Sequence, residues 1–343
     1  MSVTRAHVLH AISIGDPSVE ANVIRSITQQ SLPLGIDLDS EATGGEVYPR
    51  FQAVRGVAPR LMFTTLDVAK ILALVDFDGV SINSIAGADK LKAYLNKTVL
   101  GGTRAAGSAH KSFQAEHGLI VPRRLSCDHQ GNASLSYEAF ITDAAGDLGT
   151  DSALIISEAV ALPAITAPTM LRHTLGPLSL TNRAGTGVVV YDHLKGFELD
   201  FGVDVVVEGS DSDLIGTYPW IRGIAPTVTF RGIDSDWLAN TAAAIVATET
   251  TIPFQTDNDT NPGFCRSVIH TQSKFFLRKR LEGGTYVPDA TAEHVKMTFK
   301  GLAYLENAFD VNGQDLNTMN LIIRAAFDNT NAPVAITLNQ AIA

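Results

Sequence analysis

Alternation of apolar and polar residues dominates the chain. Phe197, Leu199, Phe201, Val203, Val205 and Val207 alternate with Glu198, Asp200, Gly202, Asp204, Val206 and Glu208. This is the period-2 signature of a long strand with one face on a core. Shorter stretches share the period. Val295, Met297 and Phe299 alternate with Lys296, Thr298 and Lys300, and Leu135, Tyr137 and Ala139 with Ser134, Ser136 and Glu138. Val57, Pro59, Leu61 and Phe63 fall on one face, as do Ile224, Pro226, Val228 and Phe230. Helical spacing is rarer. Val68, Ile71, Leu72 and Val75 form one stripe behind Asp67, a residue type that caps helices. Trp237, Leu238, Thr241, Ala242 and Ile245 form another behind Asp234 or Ser235, and a third short helix is read at 89–95. The pattern predicts a mainly β chain with few helices.

The same pattern occurs twice. Arg55-Gly56-Val57-Ala58-Pro59 returns 167 residues later as Arg222-Gly223-Ile224-Ala225-Pro226, and Phe63 and Asp67 meet Phe230 and Asp234 at that offset. Six of the thirteen positions from 55 to 67 are identical, where about one in fifteen per position is expected at average composition. Tyr48-Pro49 and Tyr218-Pro219 precede the two blocks, and His7-Val8-Leu9 stands to the first as His173-Thr174-Leu175 stands to the second. Downstream, 120–125 resembles 276–281, and 133–138 resembles 295–300 in pattern. We therefore expect two tandem copies of one β-sandwich or barrel module, residues 1–163 and 164–343, each with a flanking helix and a long loop. Pro163 and Pro168 flank an extended linker between them. Arg55, Gly56, Pro59, Arg222, Gly223 and Pro226 are the structural residues of the repeat. The long polar loops are 101–117 and 256–263, and loops of that length usually carry interactions.

Composition narrows the function. The chain has 343 residues, 45% hydrophobic and 18% charged, with a net charge of −10. That balance suits a globular chain with a proper core and disfavours tight nucleic-acid binding, which needs clustered Lys and Arg. Two cysteines, Cys127 and Cys265, in unrelated contexts imply no disulfide framework. No apolar run approaches the ~20 residues of a membrane helix, and the first residues do not read as a signal peptide. We expect synthesis in a cytoplasm.

Chemistry-bearing motifs fall short one by one. Gly102 to Ser108 has the outline of a phosphate loop without its Lys. His7 and His10 lack a third metal ligand. Asp257, Asp259 and Asn261 start like a calcium loop, but Pro262 and Val268 stand where Gly and Glu are needed. Cys127 and His129 are two apart on a turn, and no Gly-x-Ser-x-Gly elbow is present. No enzyme, cofactor or metal is expected.

The Arg55–Asp67 and Arg222–Asp234 blocks, each a strand leading into a helix, the long strand at 197–208 and the strand pair after each polar loop together resemble the tail tube proteins of long-tailed bacteriophages. The resemblance covers most of the chain as a pattern of elements. It implies a structural virion protein, synthesised in a host cytoplasm, whose rings stack into a hollow tube through which DNA passes without specific binding. A chain with two tube domains implies trimeric, pseudo-six-fold rings, with a hexamer as the alternative, and other tail proteins at the tube ends. Exposed edge strands would join neighbours. Glu198, Asp200 and Asp204 are candidates to face the lumen as a non-stick acidic wall, with the outer wall as the competing position. Gly101, Gly102, Arg104, Ser108, Asp257 and Asp259 are candidates for contacts between rings. Two further readings stay open: another virion or injection-tube component, and a carbohydrate-binding protein or hydrolase on a double β-sandwich.

Overall fold

The alternating runs become short strands in both halves of the chain. In the first half these are β1 (Ala6–Ile14), β2 (Val23–Ile24), β3 (Ile27–Ser31), β4 (Ile36–Glu41), β5 (Phe51–Val57) and β6 (Arg60–Thr65). Helix α1 (Val68–Leu72) follows, then β7 (Val80–Ser81), β8 (Leu91–Thr98), β9 (His110–Ala115), β10 (Gly118–Asp128), β11 (Ser134–Ile141) and β12 (Leu154–Val160). The second half contributes β13 (Arg172–Thr181), β14 (Val188–Tyr191), β15 (Gly196–Asp200), β16 (Val203–Glu208), β17 (Tyr218–Ile224) and β18 (Thr227–Asp234). It ends with β19 (Cys265–Arg266), β20 (Ser273–Arg280), β21 (His294–Phe299), β22 (Gly301–Glu306), β23 (Thr318–Ala325) and β24 (Val334–Gln340). This computed structural model describes residues 6–42, 44–45, 47–87, 89–98, 105, 107–144, 153–163, 171–181, 188–191, 193–234, 265–266, 273–306, 318–327 and 332–342. The protein is mainly β, built from several antiparallel sheets.

The chain divides into two compact units. The first holds Met1–Pro122, Ser136–Pro168 and Val203–Gly223; the second holds Arg123–Leu135, Thr169–Gly202 and Ile224–Ala343. The units are interleaved along the chain rather than divided once at 163/164, and one passage between them follows Pro168. In the first unit one sheet runs β2-β1-β8-β9-β12, and the other runs β3-β6-β11-β10 with β7 beside β10. The second unit pairs β14-β13-β20-β21-β24 in one sheet and β15-β18-β23-β22 in the other, with β19 beside β22. Adding twelve to every strand number of the first unit's orders gives those of the second. The two-stranded hairpins β4–β5 and β16–β17 correspond in the same way.

Matching backbone details accompany the matching order. Gly118 and Gly301 open β10 and β22 at φ +133° and +155°, and a Cβ on either would lie 2.0 Å from a carbonyl oxygen, of Phe140 and of Arg324 respectively. Only glycine fits both positions. Pro59 and Pro226 are buried, and their carbonyls accept the amides of Ile141 (3.1 Å) and Ala325 (2.9 Å). In the second unit the core bridges the sheets through Phe197 of β15 and Phe230 of β18. These pack on Phe275 of β20 and Phe299 of β21 with centroids 4.2–6.4 Å apart. The first unit buries Ile12, Leu91 and Ala93 from one sheet, Leu61, Phe63 and Tyr137 from the other, and Val68, Ile71 and Val75 from α1 and the turn after it.

Several expectations are corrected. Residues 89–95 form no helix: Leu91 and Ala93 are buried and Lys92 less so, and β8 is hydrogen-bonded along both edges, to β1 and β9. Ladders on two sides outweigh the helical reading of a short segment. The loop at 101–117 contains β9. The long strand at 197–208 breaks at Gly202, whose φ is +58° and whose amide is held by the Asp200 carboxylate at 2.9 Å. Its halves, β15 and β16, belong to different units. Asp67 heads α1 but makes no side-chain cap; its carboxylate accepts the amide of Arg25 at 3.0 Å. The likenesses of 120–125 to 276–281 and of 133–138 to 295–300 join β10 with β20 and β11 with β21, which are not counterparts in the strand order. The second helix, the loop at 256–263 and residues 164–169 of the linker lie outside the described residues.

Candidate functional site

Polar residues gather at one end of the first sheet in each unit. His7 on β1 lies opposite Lys97 on β8, and the Lys97 amide donates to Nδ1 of His110 on β9 at 3.0 Å. His173 on β13 lies opposite Lys279 on β20, whose amide donates to Nδ1 of His294 on β21 at 2.9 Å. Lys111 pairs with Glu158 in the first unit and Lys279 with Glu293 in the second, both at 2.6 Å. In each unit the ring nitrogen that accepts this amide ties one strand to the next, so His110 and His294 act as strand clasps. Desolvation holds the His173 imidazole down at about 4, helped by Lys279 and His294, whereas the exposed His7 is lowered by a slight burial and by Lys111. Among the described residues no three His, Cys, Asp or Glu side chains converge on a metal position. Cys127 lies within β10 rather than on the expected turn, which begins at His129, and burial pushes its thiol up to about 12, which keeps it protonated.

The acidic candidates are divided and partly neutralised. Glu198 on β15 meets Arg124 of β10 at 2.5 Å, and Asp204 on β16 meets Arg222 of β17 at 2.6 Å. Asp200 is spent on the turn at Gly202. No continuous row of free carboxylates therefore runs along 198–204. Ser108 is exposed on the bend before β9. Gly101, Gly102, Arg104, Asp257 and Asp259 lie outside the described residues. Arg55 and Gly56 sit on β5, and Arg222 and Gly223 on β17, as matching positions of the two hairpins.

What the sequence did not reveal is where two segments go. Arg123–Leu135, from the first half, belongs to the second unit. There β10 pairs antiparallel with β15, setting Leu125 against Leu199 and Cys127 against Phe197, all buried. The hairpin β16–β17, from the second half, belongs to the first unit. Each half thus lends the unit of the other an element. The signal was present in the offset of 167, which relates β3 to β15 and β4–β5 to β16–β17, but only pairing partners show the exchange. The surfaces left over are the free side of β3, which pairs only with β6 among the described residues, and the apolar hairpin β4–β5, where Ile36, Leu38, Val47, Tyr48, Phe51 and Val54 are exposed.

No protein-family model matches the chain, and a search of curated proteins finds no relative of it.

Proposed function

We propose that the chain is a self-assembling structural protein whose copies join edge to edge into closed rings, and that the rings stack as the tail tube of a bacteriophage. The observation that carries this reading is the β10–β15 ladder, in which a strand of the first half completes a sheet of the second. By the twelve-strand correspondence β15 answers to β3 and β10 to β22. Repeating the same join between chains brings the β22 side of one copy to the bare edge of β3 in the next. An unpaired strand edge is a template for such pairing. A head-to-tail join of this kind makes a heterologous interface, which closes into a ring when the rotation allows. Two modules per chain make three chains a pseudo-six-fold ring. The internal duplication of one module is part of the same proposal, supported by the shared strand order and paired glycines.

Electron microscopy of the purified protein across increasing concentration tests the reading. Rings built from three chains, or tubes with a regular axial repeat, are expected. Single chains that persist at the highest concentration reached would argue against it.

A further inference from the structure

The second hairpin has a seat in its own chain, and among the described residues the first has none. Gly35 and Gly202 start the two hairpins at φ +59° and +58°, and each carbonyl accepts the amide of Ala58 or Ala225 at 3.1 Å. The hairpins are therefore the same element, residue for residue, at an offset of 167. In the first unit, β16–β17 lies on the corner before β6. The Val57 amide donates to the Leu214 carbonyl at 2.7 Å, Val57 bridges Ile215 in parallel, and the Asp143 amide donates to the Gly216 carbonyl at 3.2 Å. A cleft of about 200 Å³ runs between Pro59, Phe140 and Ile141 of the seat and Val205 and Val207 of the hairpin.

Burial at matched positions separates the occupied state from the bare one. Val203 is 3% exposed and its counterpart Ile36 53%. Ile215 is 2% exposed and its counterpart Tyr48 80%. The seat itself shows the same contrast. Ile141 and Ala325 are counterparts through their bonds to Pro59 and Pro226, so Asp143, two residues on, answers to Phe327. Asp143 is 0% exposed beneath the hairpin, while Phe327 is 62% exposed. The second unit thus presents a corner around Ile224, Pro226, Ala325 and Phe327 that matches the occupied seat, and the first hairpin presents the apolar residues that would fill it.

We infer that β4–β5 of one chain docks on the Ile224–Phe327 corner of the second unit in a second copy of the same chain, with Tyr48 carried to the position that Ile215 holds in the first unit. The inference rests on the self-assembly reading. It deepens that reading by naming the arm, its receptor and the residues that meet. The occupant is a second copy because the one hairpin known to fit such a seat, β16–β17, is already placed.

Disulfide capture with singly substituted chains tests it. Tyr48→Cys and Phe327→Cys both alter exposed side chains, and unchanged circular dichroism and melting would show that each variant folds. On oxidation, an equal mixture of the two should give a covalent dimer joining one Tyr48→Cys chain to one Phe327→Cys chain, at least ten-fold above either variant alone. A Tyr48→Asp chain should fail to form rings or tubes at concentrations where the wild type does. Wild-type assembly with no crossed disulfide overturns the docking while leaving the tube reading standing. A disulfide confined to one chain in a Tyr48→Cys/Phe327→Cys double variant also overturns it. A wild type that neither assembles nor crosslinks sinks both.

Discussion

The two units carry one strand plan and fill it differently. Phe63 of the first and Phe230 of the second keep the same place on β6 and β18. Around them the cores diverge. Where the second unit has Phe197, Phe275 and Phe299, the first has Gln30, Ala93 and Ala115, by the 167-residue offset and by counting from the matched Lys97/Lys279 and His110/His294. The first unit regains volume elsewhere. Tyr137 on β11, whose counterpart is Leu321, stacks on Phe63 at 5.7 Å, and Val68, Ile71 and Val75 add an aliphatic layer. A fold that tolerates this exchange is specified by alternation, by glycines that no other residue can replace, and by total volume, more than by any one packing solution. Surfaces obey a stricter rule: where counterparts differ in exposure rather than in size, an element is seated in one unit and bare in the other.

The comparison breaks most visibly at the aromatic cluster. Phe275→Ala should cost about 3–5 kcal/mol, because it removes a ring packed against both sheets and leaves a cavity. Hydrogen exchange should then quicken in β13, β20 and β21 and leave β1, β8 and β9 unchanged. Equal quickening in both units would show that the cores are not independent. The converse change, Ala93→Phe in the first unit, should cost less, about 1–3 kcal/mol of overpacking, and denaturant midpoints of the two variants measure the ratio.

Acid separates the units next. The His173 imidazole is held near 4 in the folded protein against an ordinary 6.5. Between those values the unfolded chain takes up a proton that the folded chain refuses. Stability is therefore complete above pH 6.5, falls as the pH drops, and falls no further from this group below pH 4. The loss over that window is about 3 kcal/mol. His173→Leu should flatten the slope, read from denaturant midpoints between pH 7 and 4. His7→Leu in the first unit should change it little, since His7 is exposed. A slope that survives His173→Leu would locate the acid sensitivity elsewhere.

How much of this was legible depends on range. The β class, helix α1 and the offset of 167 that also relates the two hairpins could be read because they rest on local periodicity and on identities such as Arg55/Arg222 and Pro59/Pro226. The strand at 91–98 was misread because Leu91 and Leu95 also satisfy a helical spacing, and only the neighbouring β1 and β9 decide the matter. The break at Gly202 was hidden because Gly202 occupies a polar position of an unbroken alternation, and its positive φ leaves no trace in the pattern. The exchange of segments was out of reach for a different reason. Nothing within Arg123–Leu135 says which unit it completes; that is settled by the apolar edge of β15, some seventy residues away.

The smallest expected effect bears on how that exchanged strand is held. Arg124 and Glu198 pair diagonally across the β10–β15 ladder, and Arg222 and Asp204 pair across the hairpin β16–β17. All four side chains reach solvent, so each pair should contribute about 0.2–1 kcal/mol. Double-mutant cycles with Ala at each position measure the coupling, which should shrink as salt rises from about 0.05 to 0.5 M, because the Debye length falls over that range. The buried contacts beneath, Leu125 with Leu199 and Cys127 with Phe197, are untouched by salt. A coupling above about 2 kcal/mol for Arg124–Glu198 alone would exceed what a solvated pair supplies. It would mean that the join is pinned by charge, in which case high salt should loosen it. If the coupling stays small, the ladder and its apolar pairs hold the join, and it should persist in high salt.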